Sequence, residues 1–170
     1  MEGFIMISEL ISEKHRQAIV NRIREWCLLI QVENRIEERL YYEPYAKGRK
    51  KHGVTGEILA GFAPDRFNVP GIEVVDLSYG RGLGQPELHT ENAIIQLYSD
   101  GSDLKGSQIA NCCERYNVSE DNRPQFLIIV FTVSKTGILS KIEIHRPDRN
   151  GNLVEHMELY SNVTAFPAAV

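Results

Sequence analysis

The stretch Tyr41-Tyr42-Glu43-Pro44-Tyr45-Ala46-Lys47-Gly48-Arg49-Lys50-Lys51-His52 sets three phenol rings beside four Lys or Arg and one Glu. It is locally basic in a chain whose formal net charge is −4. Lys and Arg neutralise phosphates, and Tyr rings stack on unpaired bases. Tyr41, Tyr42, Tyr45, Lys47, Arg49, Lys50, Lys51 and His52 are therefore candidate binding residues for nucleic acid, a nucleotide or another phosphate-rich partner. The same composition suits a solvated loop whose tyrosines pack on the core. A second candidate is the glycine-rich run Tyr79-Gly80-Arg81-Gly82-Leu83-Gly84-Gln85-Pro86-Glu87. Its backbone amides can approach an anion, with Arg81 beside them. It lacks the Gly-Lys-Ser/Thr ending of a P-loop and the full dinucleotide fingerprint, so a tight connection explains it as well.

The other reactive side chains assemble less. His15, His52, His89, His145 and His156 show neither His-Glu-x-x-His nor paired-Cys spacing, so no zinc site is indicated. Glu87, His89 and Glu91 form an acid-rich cluster, read as exposed loop. Cys27, Cys112 and Cys113 are odd in number, with two adjacent. They suggest small buried hydrophobes in a reducing compartment rather than a disulfide framework. No Ser or Cys nucleophile motif is present.

These residues must be positioned by a sheet and its helices. Phe126 to Val133 is an almost unbroken apolar run rich in β-branched and aromatic residues, as in a strand covered on both faces. Ala93 to Tyr98 reads as a second strand ending in Ser99-Asp100-Gly101-Ser102. Between them, Ile109, Cys112, Cys113 and Tyr116 fall at i, i+3, i+4 and i+7, which predicts a helix over about Ser107 to Tyr116, N-capped by Ser107. Strand, helix, strand implies parallel neighbours. Upstream, Ile19, Val20, Ile23, Trp26, Cys27 and Ile30 recur at threes and fours and predict an amphipathic helix from Glu13 to about Gln31. Ser8 and Ser12 are both candidate caps and Trp26 a core anchor. Thr55 to Phe62 reads as a short strand weakened by glycines, and Gly71 to Ser78 as a better one carrying Asp76. Ile138 to His145 and Leu153 to Tyr160, separated by turns at Gly137 and Gly151, complete a three-stranded antiparallel meander with 126–133. In the last hairpin His145 and His156 face each other.

The order helix, strand, strand, strand, helix, strand, with an acid on the second strand, resembles the PD-(D/E)xK restriction-endonuclease-like superfamily. That resemblance implies an Asp on one strand and an acid-x-Lys triplet on the next, holding a divalent metal for phosphodiester cleavage. Asp76 matches the first acid. Gln96-Leu97-Tyr98 stands where acid-x-Lys belongs, with Gln96 for the acid and Lys105 as the stand-in cation. Mg²⁺ is implied only if the chain is such a nuclease, because a hard cation wants anionic oxygens and must polarise the attacking water.

At 170 residues, 25% charged and 42% hydrophobic, the composition is that of one globular domain of α+β class with a central mixed sheet and two principal helices. The acidic balance excludes a chain that is basic overall, so nucleic-acid contact must come from a local patch. The first residues, Met1-Glu2-Gly3-Phe4-Ile5-Met6, lack a signal-like apolar region, and no run reaches the roughly 18 apolar residues of a membrane span. A cytoplasmic protein is expected. Three functions follow as expectations: a binding or regulatory protein engaging a phosphate-rich partner, a metal-dependent nuclease using Asp76, Gln96 and Lys105, and a module that pairs with a protein partner through an exposed sheet edge.

Overall fold

A computed structural model describes residues 5–37, 54–59, 61–77, 85–99, 106–115 and 125–162. Ser12 caps the principal helix by accepting the His15 amide on its hydroxyl at 3.1 Å. From there α2 (Glu13–Glu37) follows a short α1 (Ile7–Leu10). The helix runs past Gln31 and has the apolar face that the spacing predicts: Ile19, Val20, Ile23, Cys27 and Ile30 are buried, and Trp26 is only 9% exposed. Leu28, Leu29 and Val32 lie on its outer side.

Residues 54–59 are helical (α3), which corrects the strand expected over Thr55 to Phe62. Ile58 and Phe62 are four apart and both wholly buried. The end of α3 and the turn after it deliver both to the same core, and that burial outweighs the poor helix propensity of Thr55 and Gly56. Gly61 then passes so close to Trp26 that no side chain fits between them. Arg22 ties α2 to this turn, donating from Nε to the Gly61 carbonyl at 2.9 Å and from its terminal nitrogen to the Arg66 carbonyl.

Six strands, β1 (Glu73–Leu77), β2 (Gln85–His89), β3 (Ala93–Ser99), β4 (Gln125–Val133), β5 (Leu139–Pro147) and β6 (Leu153–Ser161), form one sheet in sequence order. All neighbours are antiparallel except β3 and β4, which are parallel and joined through α4 (Gly106–Arg115). The α+β class, the parallel central pair and the β4 to β6 meander therefore hold as expected. Ser107 lies inside α4 rather than before it.

β4 has both faces covered. Leu127, Ile129 and Phe131 join the main core under α1, α2 and α3, together with Leu88, Ile95, Leu97, Ile142 and Ile144. Phe126 and Ile128 join Ile94, Ile109 and Cys113 in a smaller core beneath α4, with Cys112, Tyr98 and Val130 at its margin. Alternation assigns the residues of β3 and of β4 from Phe126 to Phe131 to these two faces, while register shifts interrupt it in the pairings of β4 with β5 and of β5 with β6. Burial pushes the Cys27 thiol up to about 11. It does the same to Cys113, helped by Cys112 and Asp148. Among the described residues, no helix is long and apolar enough to cross a membrane.

Candidate functional site

The run Gln85 to His89 is a strand, not the end of a glycine-rich loop, and this changes the reading of its acid. Pro86 and Leu88 alternate with Glu87 and His89, and Leu88 enters the main core. Glu87 is thereby turned to the α4 face, where it is 1% exposed. This corrects the expectation of an exposed loop for Glu87 and His89, while Glu91 lies exposed outside the strand as expected. A carboxylate so buried is tolerable only when hydrogen-bonded. Glu87 Oε1 lies 2.8 Å from His89 Nε2, and Glu87 Oε2 accepts from Gln96 Nε2 at 3.0 Å.

Gln96 lies directly across the strand pair from Glu87. It is only 7% exposed, and its remaining oxygen accepts the Tyr98 hydroxyl at 2.7 Å. Tyr98 is two residues further along β3 and so on the same face. Imidazole, carboxylate, amide and phenol thus form one chain of hydrogen bonds running from β2 to β3, beside the apolar cluster of Ile94, Ile128 and Ile109. The His89 side chain is 31% exposed and Tyr98 is partly buried, so both ends of the chain reach solvent while Glu87 and Gln96 do not.

The residues singled out from sequence are distributed unevenly. Gln96 is in this network. Asp76 is on β1, which pairs with β2, so β2 stands between Asp76 and Gln96. In register, Asp76 meets Pro86, and Val75 is the residue opposite Glu87. The acid on the strand next to Gln96 is Glu87. Lys105, Arg81 and the whole stretch Tyr41, Tyr42, Tyr45, Lys47, Arg49, Lys50, Lys51 and His52 lie outside the described residues. His145 and His156 do face each other, in register across β5 and β6 with ring centroids 5.9 Å apart.

No protein-family model, curated protein or solved structure matches the chain. The geometry must speak for itself. Among the described residues, no group of three or more His, Cys, Asp or Glu is placed to hold a metal ion. The donor set around Gln96 does not fit Mg²⁺. It offers one carboxylate with both oxygens engaged and one amide oxygen already accepting from a phenol, whereas Mg²⁺ demands open anionic oxygens in octahedral array. Nor does an ammonium stand at the third position: Tyr98 can donate one hydrogen bond but carries no charge at neutral pH. What the four side chains can do is recognise. The imidazole edge and the phenol are directional donors or acceptors held by a buried carboxylate and amide.

Proposed function

We propose that this protein is a small non-catalytic binding or regulatory protein that engages a phosphate-rich partner, nucleic acid or a nucleotide, and that its architecture is of the restriction-endonuclease-like kind. The observation that carries the reading is the pairing of Glu87 with Gln96 on neighbouring strands, with Tyr98 two residues on. Apart from α3, which stands between α2 and β1, the order α2, β1, β2, β3, α4, β4 supports the resemblance, with β2 as the strand beside the acid-x-Lys position and Glu87 as its acid. At that position an amide and a phenol stand in place of the second carboxylate and the lysine. Recognition by hydrogen bonds survives that replacement, while metal-assisted hydrolysis loses both its second anionic ligand and its cation.

The basic, tyrosine-bearing stretch from Tyr41 to His52 supports a polyanionic partner. Its cations neutralise phosphates whatever the sequence, and the neighbouring rings favour unpaired bases.

The deciding experiment is a mobility-shift assay with labelled single- and double-stranded DNA and RNA, at two salt concentrations with Mg²⁺ present. The expected result is retarded but intact nucleic acid, with binding weakened by salt. Replacing Arg49, Lys50 and Lys51 by Gln should lower the salt slope by about 2 to 3. Cleavage in the same lanes would instead make the protein a nuclease. Free, intact nucleic acid throughout would overturn the reading and direct the search to small-molecule or protein partners.

A further inference from the structure

The last strand, β6, carries two exposed polar residues, His156 and Glu158, on the face shared with α4. Each lies opposite its own kind within the chain: His156 is in register with His145, and Glu158 with Glu143. Glu143 already has a cation, the Lys141 ammonium at 3.2 Å, and a weaker approach to His145 at 3.8 Å. Like charges directly opposed across a strand pair destabilise it, as the two carboxylates of Glu143 and Glu158 do. β6 is the last strand in the sheet order, and among the described residues no strand pairs with its outer side. Over its nine residues it has no Pro, Gly, Lys or Arg, and between the two register shifts of its pairing with β5 the stretch Glu155 to Glu158 is regular and open to a further strand.

We propose that the β6 edge binds a second copy of this chain, by antiparallel pairing about a two-fold axis at Met157. A two-fold that joins two identical antiparallel strands sets one residue opposite its own copy and fixes every other pair. Centred on Met157, the axis sets His156 of each chain opposite Glu158 of the other, twice. Centring on His156 would set Val154 against Glu158, and centring on Glu158 would set His156 against Tyr160. Only the Met157 register gives each polar residue the complement that its own chain withholds. An imidazole N–H, neutral or protonated, donates to the facing carboxylate. Val154, 46% exposed, lies at the register shift just before this stretch, and the two six-stranded sheets become continuous. Glu155 is held on the other face, where it accepts the Ile7 amide at 2.8 Å, so the pairing leaves α1 in place.

Sedimentation velocity of the whole chain, up to about 100 µM, tests the proposal, since self-association is concentration-dependent. The wild type is expected to sediment as a dimer at the upper end. His156→Glu opposes carboxylate to carboxylate across the axis and should weaken association about tenfold or more. The exchanged variant His156→Glu with Glu158→His keeps complementary pairs in the same register and should restore it. Because both positions are exposed, circular dichroism should show all three proteins folded. A wild type that stays monomeric, or a dimer indifferent to His156→Glu, or one that the exchange fails to rescue, would overturn the proposal.

Discussion

Glu87 and Gln96 stand directly opposite each other on neighbouring strands, with the carboxylate accepting from the amide at 3.0 Å in a site where the two are 1% and 7% exposed. At that depth, neither group has water to replace a lost partner. Glu87→Leu leaves the Gln96 amide without its acceptor, and Gln96→Leu leaves one oxygen of a buried carboxylate short. Each single change should cost about 1 to 3 kcal/mol. Removing both polar groups together should cost less than the sum. Urea unfolding of the wild type, both single variants and the double variant checks this, and strict additivity would mean that the two groups do not support each other.

The same pair offers a test of architecture. If β2 and β3 have the geometry of a nuclease-like site, Gln96→Glu with Tyr98→Lys supplies the missing carboxylate and ammonium beside Glu87. The expected outcome is Mg²⁺-dependent nicking of plasmid DNA where the wild type gives none, abolished by adding Glu87→Ala. The two facing carboxylates would repel each other in the absence of metal, so Mg²⁺ should also raise the melting temperature of this variant.

Gly61 is fixed by sterics rather than by backbone conformation. A Cβ there would overlap the Trp26 indole at Nε1 and Cδ1. Gly61→Ala should therefore destabilise by about 1 to 3 kcal/mol through overpacking and shift the emission of the chain's single tryptophan. Trp26→Phe in the same background should recover part of the loss, because the smaller ring makes room. An unchanged unfolding midpoint would refute the contact.

His145 makes a prediction about pH. Burial disfavours its imidazolium and lowers its pKa, Glu143 pulling the other way and His156 and Lys141 adding to the fall. A base whose pKa drops on folding binds more protons unfolded than folded between the two values, so its contribution to stability is complete above about 6.5 and declines as the pH falls through that window. An NMR titration should place the His145 midpoint below that of a free imidazole. His156→Ala should raise it by removing a like charge, and a midpoint that does not move would remove His156 from the account.

Much of the fold was legible because burial wrote it in periodicity. β4 could be recognised from eight apolar or β-branched residues in a row, and α2 from its spacing of threes and fours. The central acid was not. Pro86 lacks an amide to donate and normally marks a loop or an edge, so Gln85 to His89 read as the end of a turn although it is a paired strand. The available signal was the alternation of Pro86 and Leu88 with Glu87 and His89. With that strand unrecognised, Asp76 reads as the acid neighbouring Gln96, whereas the residue opposite Gln96 on the adjacent strand is Glu87. The turn at 54–59 failed for a different reason. Its local preferences favour extended chain, and only the distant surface of Trp26 and the main core makes the helix profitable, which no local window reveals.

The parallel contact between β3 and β4 also divides the sheet in time. β1, β2 and β3 are joined in sequence by antiparallel pairing, as are β4, β5 and β6, so each trio can form from short-range contacts. The seam between Ile95 and Leu127 must wait until residues 100–124 have carried the chain back to the same end of the sheet. Among the strand pairings, closing that loop carries the largest entropic barrier, and it is the pairing that brings the two trios together. Until it closes, the flanks of β3 and β4 are two bare apolar edges, and the unjoined halves are the species most prone to associate with each other's copies during synthesis or refolding.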